Sequence, residues 1–452
     1  MIIVYYLLIW ILPLWAHPFW GQRIGPLTLF EYIGIVCLAY AFVHVLSRHR
    51  FPFPPLLETI PPILDTWETR LFLLLYLIAL ISAGTKGDGI VLSDSALINY
   101  TSSLSLILIG LAVIDDLKRL RWMVLTLVGS YGFASLYVIR EWQRNHLIYR
   151  GFRPGWIVGD ANYFSVAAIF AIVLAFYFMQ GGRPRWERAF CLVCLLLTIL
   201  AFTFCASRGG LLGLTAAALC LVWRTERRVR NLVLISVVVI PLSLALPVSP
   251  LHRFLDPHAD HGSAQFHLEA WRAGLRMIEA HPLTGIGLGN FKPQMPLYNL
   301  PQWDPLTGWA PTIDSVAHNM FIEVAAELGL PALLILLGIF WFTYRTLGRL
   351  RRSSSHPLIR DAASALQAGL VGFAVAGSFI SAEYQKTSWM GFAVMFCLLP
   401  LARPRKLPVH ARIPPRSPKR RSHPGGQKLR PRNSDFREKA HLVGNYSRIA
   451  DA

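Results

Sequence analysis

The chain has 452 residues, of which 54% are apolar and only 15% charged, and it carries a formal net charge of +19. Soluble proteins show about a quarter charged residues, so a soluble domain with a single anchor is excluded; the apolar residues come in runs of roughly 17 to 25, the length that crosses a hydrocarbon core. A membrane β-barrel is excluded as well, because its strands are shorter and alternate in polarity.

Taken in order, the runs predict an all-α polytopic membrane protein with about twelve transmembrane helices: Ile2–Leu14, Leu27–Leu46, Leu71–Ala83, Leu97–Ile114, Trp122–Ile139, Tyr163–Met179, Phe190–Cys205, Gly210–Trp223, Leu232–Leu246, Val316–Thr343, Ala362–Ser381 and Ser388–Leu401. The first run has no basic flank and no clear small-residue cleavage site, so it reads as a retained span and not as a cleaved signal. Cys37, Cys191, Cys194, Cys205, Cys220 and Cys397 all fall in or beside these runs and give neither a disulfide framework nor a zinc site. Four segments result. Helices one to nine occupy residues 1–247, a large polar loop 248–315, helices ten to twelve 316–402, and a basic tail 403–452, whose Pro/Arg/Lys/Ser-rich composition predicts disorder in isolation.

The basic residues set the orientation. With the N-terminus inside, the even-numbered connections hold Arg48/Arg50/Arg70, Lys118/Arg119/Arg121, Arg183/Arg185/Arg188, Arg224/Arg227/Arg228/Arg230 and Arg345/Arg349/Arg351/Arg352/Arg360. The tail from Arg403 alone carries more Lys and Arg than the whole opposite face. This is the distribution of the positive-inside rule, not of a nucleic-acid binder. Both termini are expected in the cytoplasm, the 248–315 loop is expected in the periplasm of a bacterial inner membrane, and the tail suits anionic membrane lipid.

Arginines on the outer face oppose the rule. For Arg140, Arg144, Arg150 and Arg153 after span five, an ordinary solvated loop accounts for them as readily as a site does. Arg208 is different, because Ser207-Arg-Gly-Gly210 is a tight turn between two apolar helices, where an unpaired charge is costly.

In the large loop, Ser263 to His281 predicts a helix: Phe266, Trp271, Leu275 and Ile278 fall at helical spacing, Ser263 can cap the start and Pro282 ends it. Gly285-x-Gly-x-Gly289 has the spacing of a phosphate-binding glycine loop, but no strand precedes it and no helix clearly opens after it, so a turn that doubles the chain back toward the membrane is expected. Pro293 to Pro311 is rich in Pro, Trp and Tyr, a surface that suits either sugar rings or the bilayer interface. Asp256-Pro-His258-Ala-Asp260-His261 has the residue types of a metal site, as short polar loops often do by chance. Neither a metal nor a cofactor is expected.

Arg208, the Arg272/Arg276 pair on the loop helix, and His318 beside Asn319 are the outward groups with chemistry to offer. Arginine keeps its charge and forks onto phosphate oxygens, and histidine serves as a general base near neutral pH. Together they suit transfer of a group from a diphosphate carrier to a hydroxyl.

The run Trp271 to Phe291, with His281-Pro-Leu-Thr-Gly-Ile-Gly-Leu-Gly-Asn-Phe, followed by His318-Asn-Met-Phe-Ile-Glu-Val-Ala-Ala-Glu-Leu-Gly-Leu-Pro, resembles the O-antigen ligase and polymerase superfamily. Ser207-Arg-Gly-Gly210 matches its earlier arginine motif, and Asp160-Ala-Asn162 resembles the polar start of another of its spans. The resemblance covers roughly Asp160 to Gly338. It implies a metal-independent glycosyltransferase facing the periplasm, with an undecaprenyl-diphosphate-linked glycan as donor and a lipid A core, a growing glycan or a protein as acceptor. By motif, Arg208 would handle the diphosphate and His318 would be the catalytic histidine. Many members carry an arginine four residues before the loop tryptophan; here that position is His267, so either Arg272 or Arg276 substitutes for it or the donor contact differs. His267, Arg272, Arg276, Asn319 and Arg153 are thus the substrate-binding candidates.

The leading expectation is an O-antigen ligase; a polymerase or a protein O-glycosylation ligase uses the same chemistry on another acceptor. A lipid-glycan transporter fits twelve spans, but no inverted repeat is evident and the polar groups gather on one face instead of near the midplane. A structural scaffold would leave His318 without a purpose.

Overall fold

In hydrocarbon every backbone N–H and C=O must be satisfied within its own segment, and the apolar runs achieve this as helices. The computed structural model describes residues 1–25, 27–48, 66–86, 96–149, 152–180, 182–223, 263–299, 303–304, 308–309 and 315–402. The ninth predicted span, the Asp256–His261 cluster and the tail from Arg403 lie outside the described residues.

The first half runs α1 (Ile2–Ile11), extended by a 3-10 turn over Leu12–Leu14, then α2 (Leu29–Arg48), α3 (Trp67–Lys86), α4 (Ala96–Val113), α5 (Leu117–Asn145), α6 (Ala161–Phe178), α7 (Arg185–Cys205) and α8 (Arg208–Val222). Next come α9 (Ser263–Ala280), α10 (Phe291–Tyr298), α11 (Met320–Leu328), α12 (Leu330–Ser353), α13 (Pro357–Gly377), a 3-10 turn over Ala382–Tyr384, and α14 (Trp389–Leu401). Two antiparallel ladders of two residues per strand interrupt the helices, Arg23–Ile24 with Leu27–Thr28 and Trp303–Asp304 with Gly308–Trp309. Seven described helices, α3 to α7, α12 and α13, are long and apolar enough to cross a membrane, and α1, α2, α8 and α14 contain shorter apolar stretches. The chain is an all-α polytopic membrane protein.

Helix α13 packs against α6, α8 and α12, while α5 and α6 pack on α7, α14 on α4, and α3 on α12. Small residues allow the closest crossing, as is usual where lipid supplies no hydrophobic drive between helices. A Cβ on Gly213 of α8 would lie 2.5 Å from the Gly372 carbonyl oxygen of α13, and one on Gly372 would lie 2.6 Å from that of Gly213.

At one end Arg121 pairs with the buried Glu187, and Arg183 pairs with Asp361 at 3.1 Å while lying 4.0 Å over the Phe178 ring. The opposite end gathers the start of α6, the α7–α8 turn, the end of α13, and α9 to α11. Arg140 and Arg144, expected in a connection, lie on the last turns of α5, which Asp116 caps and which outlasts its apolar stretch.

The structure differs from the sequence expectation at the tenth span. Val316–Thr343 is not one helix: it breaks at Gly329, whose φ of 86° and ψ of 170° suit glycine alone. The Leu330 N–H donates to the Pro282 carbonyl at 2.8 Å, and a Cβ at Gly329 would meet the Leu283 oxygen at 2.4 Å. The nine-residue α11 is therefore not a spanning helix, and α12 crosses without it. The loop helix forms as predicted, and Arg276 donates to the Tyr298 carbonyl at 2.7 Å, tying α9 to the end of α10. The glycine turn has positive φ at Gly285, Gly287 and Gly289, but a short helix, α10, does open directly after it.

Candidate functional site

The α7–α8 turn is built in two residues. Ala206 ends α7 in the left-handed conformation at φ 48°, and the Ser207 hydroxyl caps α8 by accepting from the Gly210 N–H at 3.2 Å. Arg208 thus becomes the first residue of α8, where its charge adds to the positive end of the helix dipole. Opposite it, Asp160 caps α6 through the Asn162 and Tyr163 N–H groups, and Asn162 accepts from Arg153 at 2.7 Å. Arg153 also donates to the Cys205 carbonyl at 2.8 Å, one of the acceptors left open where α7 ends.

His318 stands before α11 in a left-handed conformation with φ 50°, uncommon for any residue but glycine. It is held there by its neighbours. Asn319 caps α11 by accepting from Phe321 and Ile322, the Met320 N–H donates to the Ile380 carbonyl at 3.1 Å, and the buried Glu323 takes the Ala317 N–H. The His318 ring lies 4.8 Å from the His267 ring of α9, and its Nε2 is 3.3 Å from the Ser315 hydroxyl.

These groups line one cavity of about 430 Å³, together with Trp271 of α9 and Phe379 after α13. Arg153, Arg208, His267 and His318 are thus brought together. Asn319 is not in the lining and serves as a helix cap. Arg272 is exposed on another face of α9, and Arg276 spends its guanidinium on the Tyr298 carbonyl. Neither arginine stands in the cavity at the place His267 takes.

Burial pushes the His318 imidazole below its ordinary 6.5, and the nearby Asp160 carboxylate pulls it back upward. The ring is therefore neutral near pH 7 and able to accept a proton. Asp160→Asn keeps an acceptor at the cap but removes that upward pull. We expect its acid limb of activity to move to lower pH while the neutral-pH rate stays near wild type, as a pH–rate profile of the purified protein would read out.

Three buried carboxyls stand behind the site: Glu323 and Glu327 on α11, and Glu383 in the 3-10 turn that follows α13. Glu327 accepts from the Gly289 and Phe291 N–H groups, each at 2.9 Å, and from the Tyr384 hydroxyl; Glu323 accepts from the Ser381 hydroxyl. Both Glu383 oxygens are buried without a hydrogen-bond partner among the described residues. Burial raises the pKa of all three, and Glu323 adds to the rise at Glu327 and Glu383. Sequence reasoning assigned these glutamates no role, although two carboxyls four residues apart in an apolar helix are a signal in themselves. Trp271 read as a helix-face residue and as the landmark of the family motif, not as part of the cavity, and Phe379 carried no motif.

Among the described residues no cluster of three or more His, Cys, Asp or Glu could hold a metal ion. A comparison with curated proteins found no match. Residues 192–337, which contain Arg208, His267, Trp271 and His318 but neither Arg153 nor Phe379, match the family model described as O-antigen ligase, so the superfamily resemblance read from the motifs holds across this stretch.

Proposed function

We propose that this protein is a glycan transferase that moves a glycan from an undecaprenyl-diphosphate carrier to an acceptor hydroxyl, as an O-antigen ligase, on the periplasmic face of the bacterial inner membrane. One observation carries the reading: Arg208 and Arg153 share a single cavity with the half-buried His318, whose imidazole burial holds below its ordinary 6.5. The two guanidiniums hold the diphosphate, with Arg208 at a helix start that itself favours anions. His318 accepts the proton of the acceptor hydroxyl as that oxygen bonds to the anomeric carbon. The bond from that carbon to the diphosphate oxygen breaks, and undecaprenyl diphosphate leaves with its bonding electrons, its charge matched by the arginines. The acceptor, whether a lipid A core, a growing glycan or a protein, is what separates a ligase from a polymerase or a protein glycosylation ligase.

Arg208→Ala tests the reading. Loss of a preorganised charge partner costs on the order of a hundredfold in rate. The surface glycan ladder on gels is expected to vanish at normal protein level, with full-length glycan left on its carrier. A normal ladder refutes the assignment, and single repeats on the carrier identify a polymerase. Because the arginines supply the positive charge, EDTA is expected to leave transfer by the purified protein unchanged.

A further inference from the structure

The cavity is lined by two unlike sets of groups. Arg153, Asn162, Ser207 and Arg208 come from the turns around α6 to α8 and are polar or cationic. Trp271 of α9 and Phe379 after α13 are aromatic, with ring centroids 6.2 Å apart and planes tilted by 48°. The first set answers a diphosphate. Nothing in the proton transfer or the diphosphate contact uses the second.

Trp271 carries a further signal. Its indole Nε1 is buried and has no hydrogen-bond partner among the described residues, although this ring lines an open cavity. Burying a donor unpaired costs stability, and native proteins leave few such groups unless a ligand or solvent completes them. The ligand that completes this one must offer an acceptor to the N–H and an apolar face to the rings. A polyprenyl chain offers the face and no acceptor. A diphosphate offers acceptors and no face. A pyranose offers both, with hydroxyl oxygens around its rim and C–H bonds on its faces, and the amphipathic tryptophan ring suits such a partner.

The ring also stands close to the reacting atoms. Trp271 lies one helical turn after His267, with their ring centroids 6.5 Å apart, and His267 lies 4.8 Å from His318. We infer that Trp271 and Phe379 form the saccharide-binding wall of the cavity, with the Trp271 indole N–H donating to an oxygen of the sugar next to the bond being made. This deepens the glycan-transfer reading and rests on it.

The full-length protein in detergent, as wild type, Trp271→Phe and Trp271→Ala, is titrated with plain undecaprenyl diphosphate and with undecaprenyl-diphosphate-linked N-acetylglucosamine, and transfer is then followed. Trp271→Phe keeps an aromatic face and removes only the donor, so it also guards against misfolding of the alanine variant. If the donor sugar sits on this wall, both variants bind the plain lipid as wild type does. The sugar-bearing lipid weakens roughly threefold to tenfold for Phe, the worth of one neutral hydrogen bond, and about thirtyfold or more for Ala, as for a buried tryptophan contact. If both lipids bind normally and the KM for the acceptor rises instead, the saccharide on the wall is the acceptor's, and the inference stands. Parallel weakening of both lipids overturns it, because Trp271 then serves the chain or the diphosphate. Unchanged binding and unchanged transfer overturn it too. If the wild-type protein binds neither lipid and transfers nothing, the glycan-transfer reading fails and this inference falls with it.

Discussion

Replacing His318 with alanine is expected to lower the transfer rate at saturating substrate by about 10² to 10⁴-fold, the range over which a positioned general base contributes. The loss should fall on kcat more than on KM, because on the proposed reading Arg208 and Arg153 hold the diphosphate and His318 takes the proton. Alanine also fits poorly at a φ of 50°, so His318→Asn is the cleaner variant; asparagine tolerates this conformation and cannot take the proton. Both variants should fail alike. The wild-type pH profile follows from the half-buried ring. Its pKa lies below 6.5, so the neutral base survives to lower pH than an exposed histidine, and activity should fall only as the pH drops below that value. A wild-type rate in either variant, or an acid limb above 6.5, would remove His318 from the chemistry.

The second large effect is expected at Glu327, which touches no substrate. Its carboxyl gathers the Gly289 and Phe291 N–H groups and the Tyr384 hydroxyl in a buried position, and it pins the glycine turn between α9 and α10 to α11. Glu327→Ala leaves these donors unpaired, at ~1–3 kcal/mol for each that stays buried, so a total of about 3 kcal/mol or more is expected. The thermal unfolding midpoint of the purified protein should fall, and transfer should fall with it, because α9 carries His267 and Trp271 into the cavity. Glu327→Gln keeps one acceptor oxygen but turns an N–H₂ toward a donor, so it should lie between. An alanine variant as stable as wild type would mean that the loop is held elsewhere.

How far these features were legible in the sequence follows from where their information resides. Apolar runs dictate helices, and α1 to α8, α13 and α14 overlap their predicted runs, because hydropathy over a membrane thickness is a local property. Ser207-Arg-Gly-Gly210 read as a turn, but the turn is Ala206–Ser207, and Arg208 to Gly210 already form the first turn of α8. The tenth span misled because hydropathy runs unbroken through Gly329, while the break depends on the Pro282 carbonyl, a contact between segments far apart in the chain. The same limit separates Arg272 from His267. Five residues apart on α9, they are equally polar on paper, and only the packing of α9 on α11 turns His267 inward. Asn319 beside His318 looked like a second polar site group, whereas the helix start claims its side chain. Phe379 reaches the cavity only through the end of α13, for which sequence offers no marker.

The three buried carboxyls also set a direction for proton traffic. No described Lys or Arg pairs with Glu323, Glu327 or Glu383, and each is held above the carboxyl's ordinary 4.5 by burial. The folded protein therefore holds protons there more tightly than the unfolded chain does, and above the ordinary 4.5 folding takes protons up from solution. Their contribution to stability is whole below about 4.5 and is lost as the pH rises toward the raised values. On the proposed orientation this joint stands at the periplasmic end, in a compartment that follows the acidity of the medium. It is an acid-tolerant joint, and alkali is the condition that works against it.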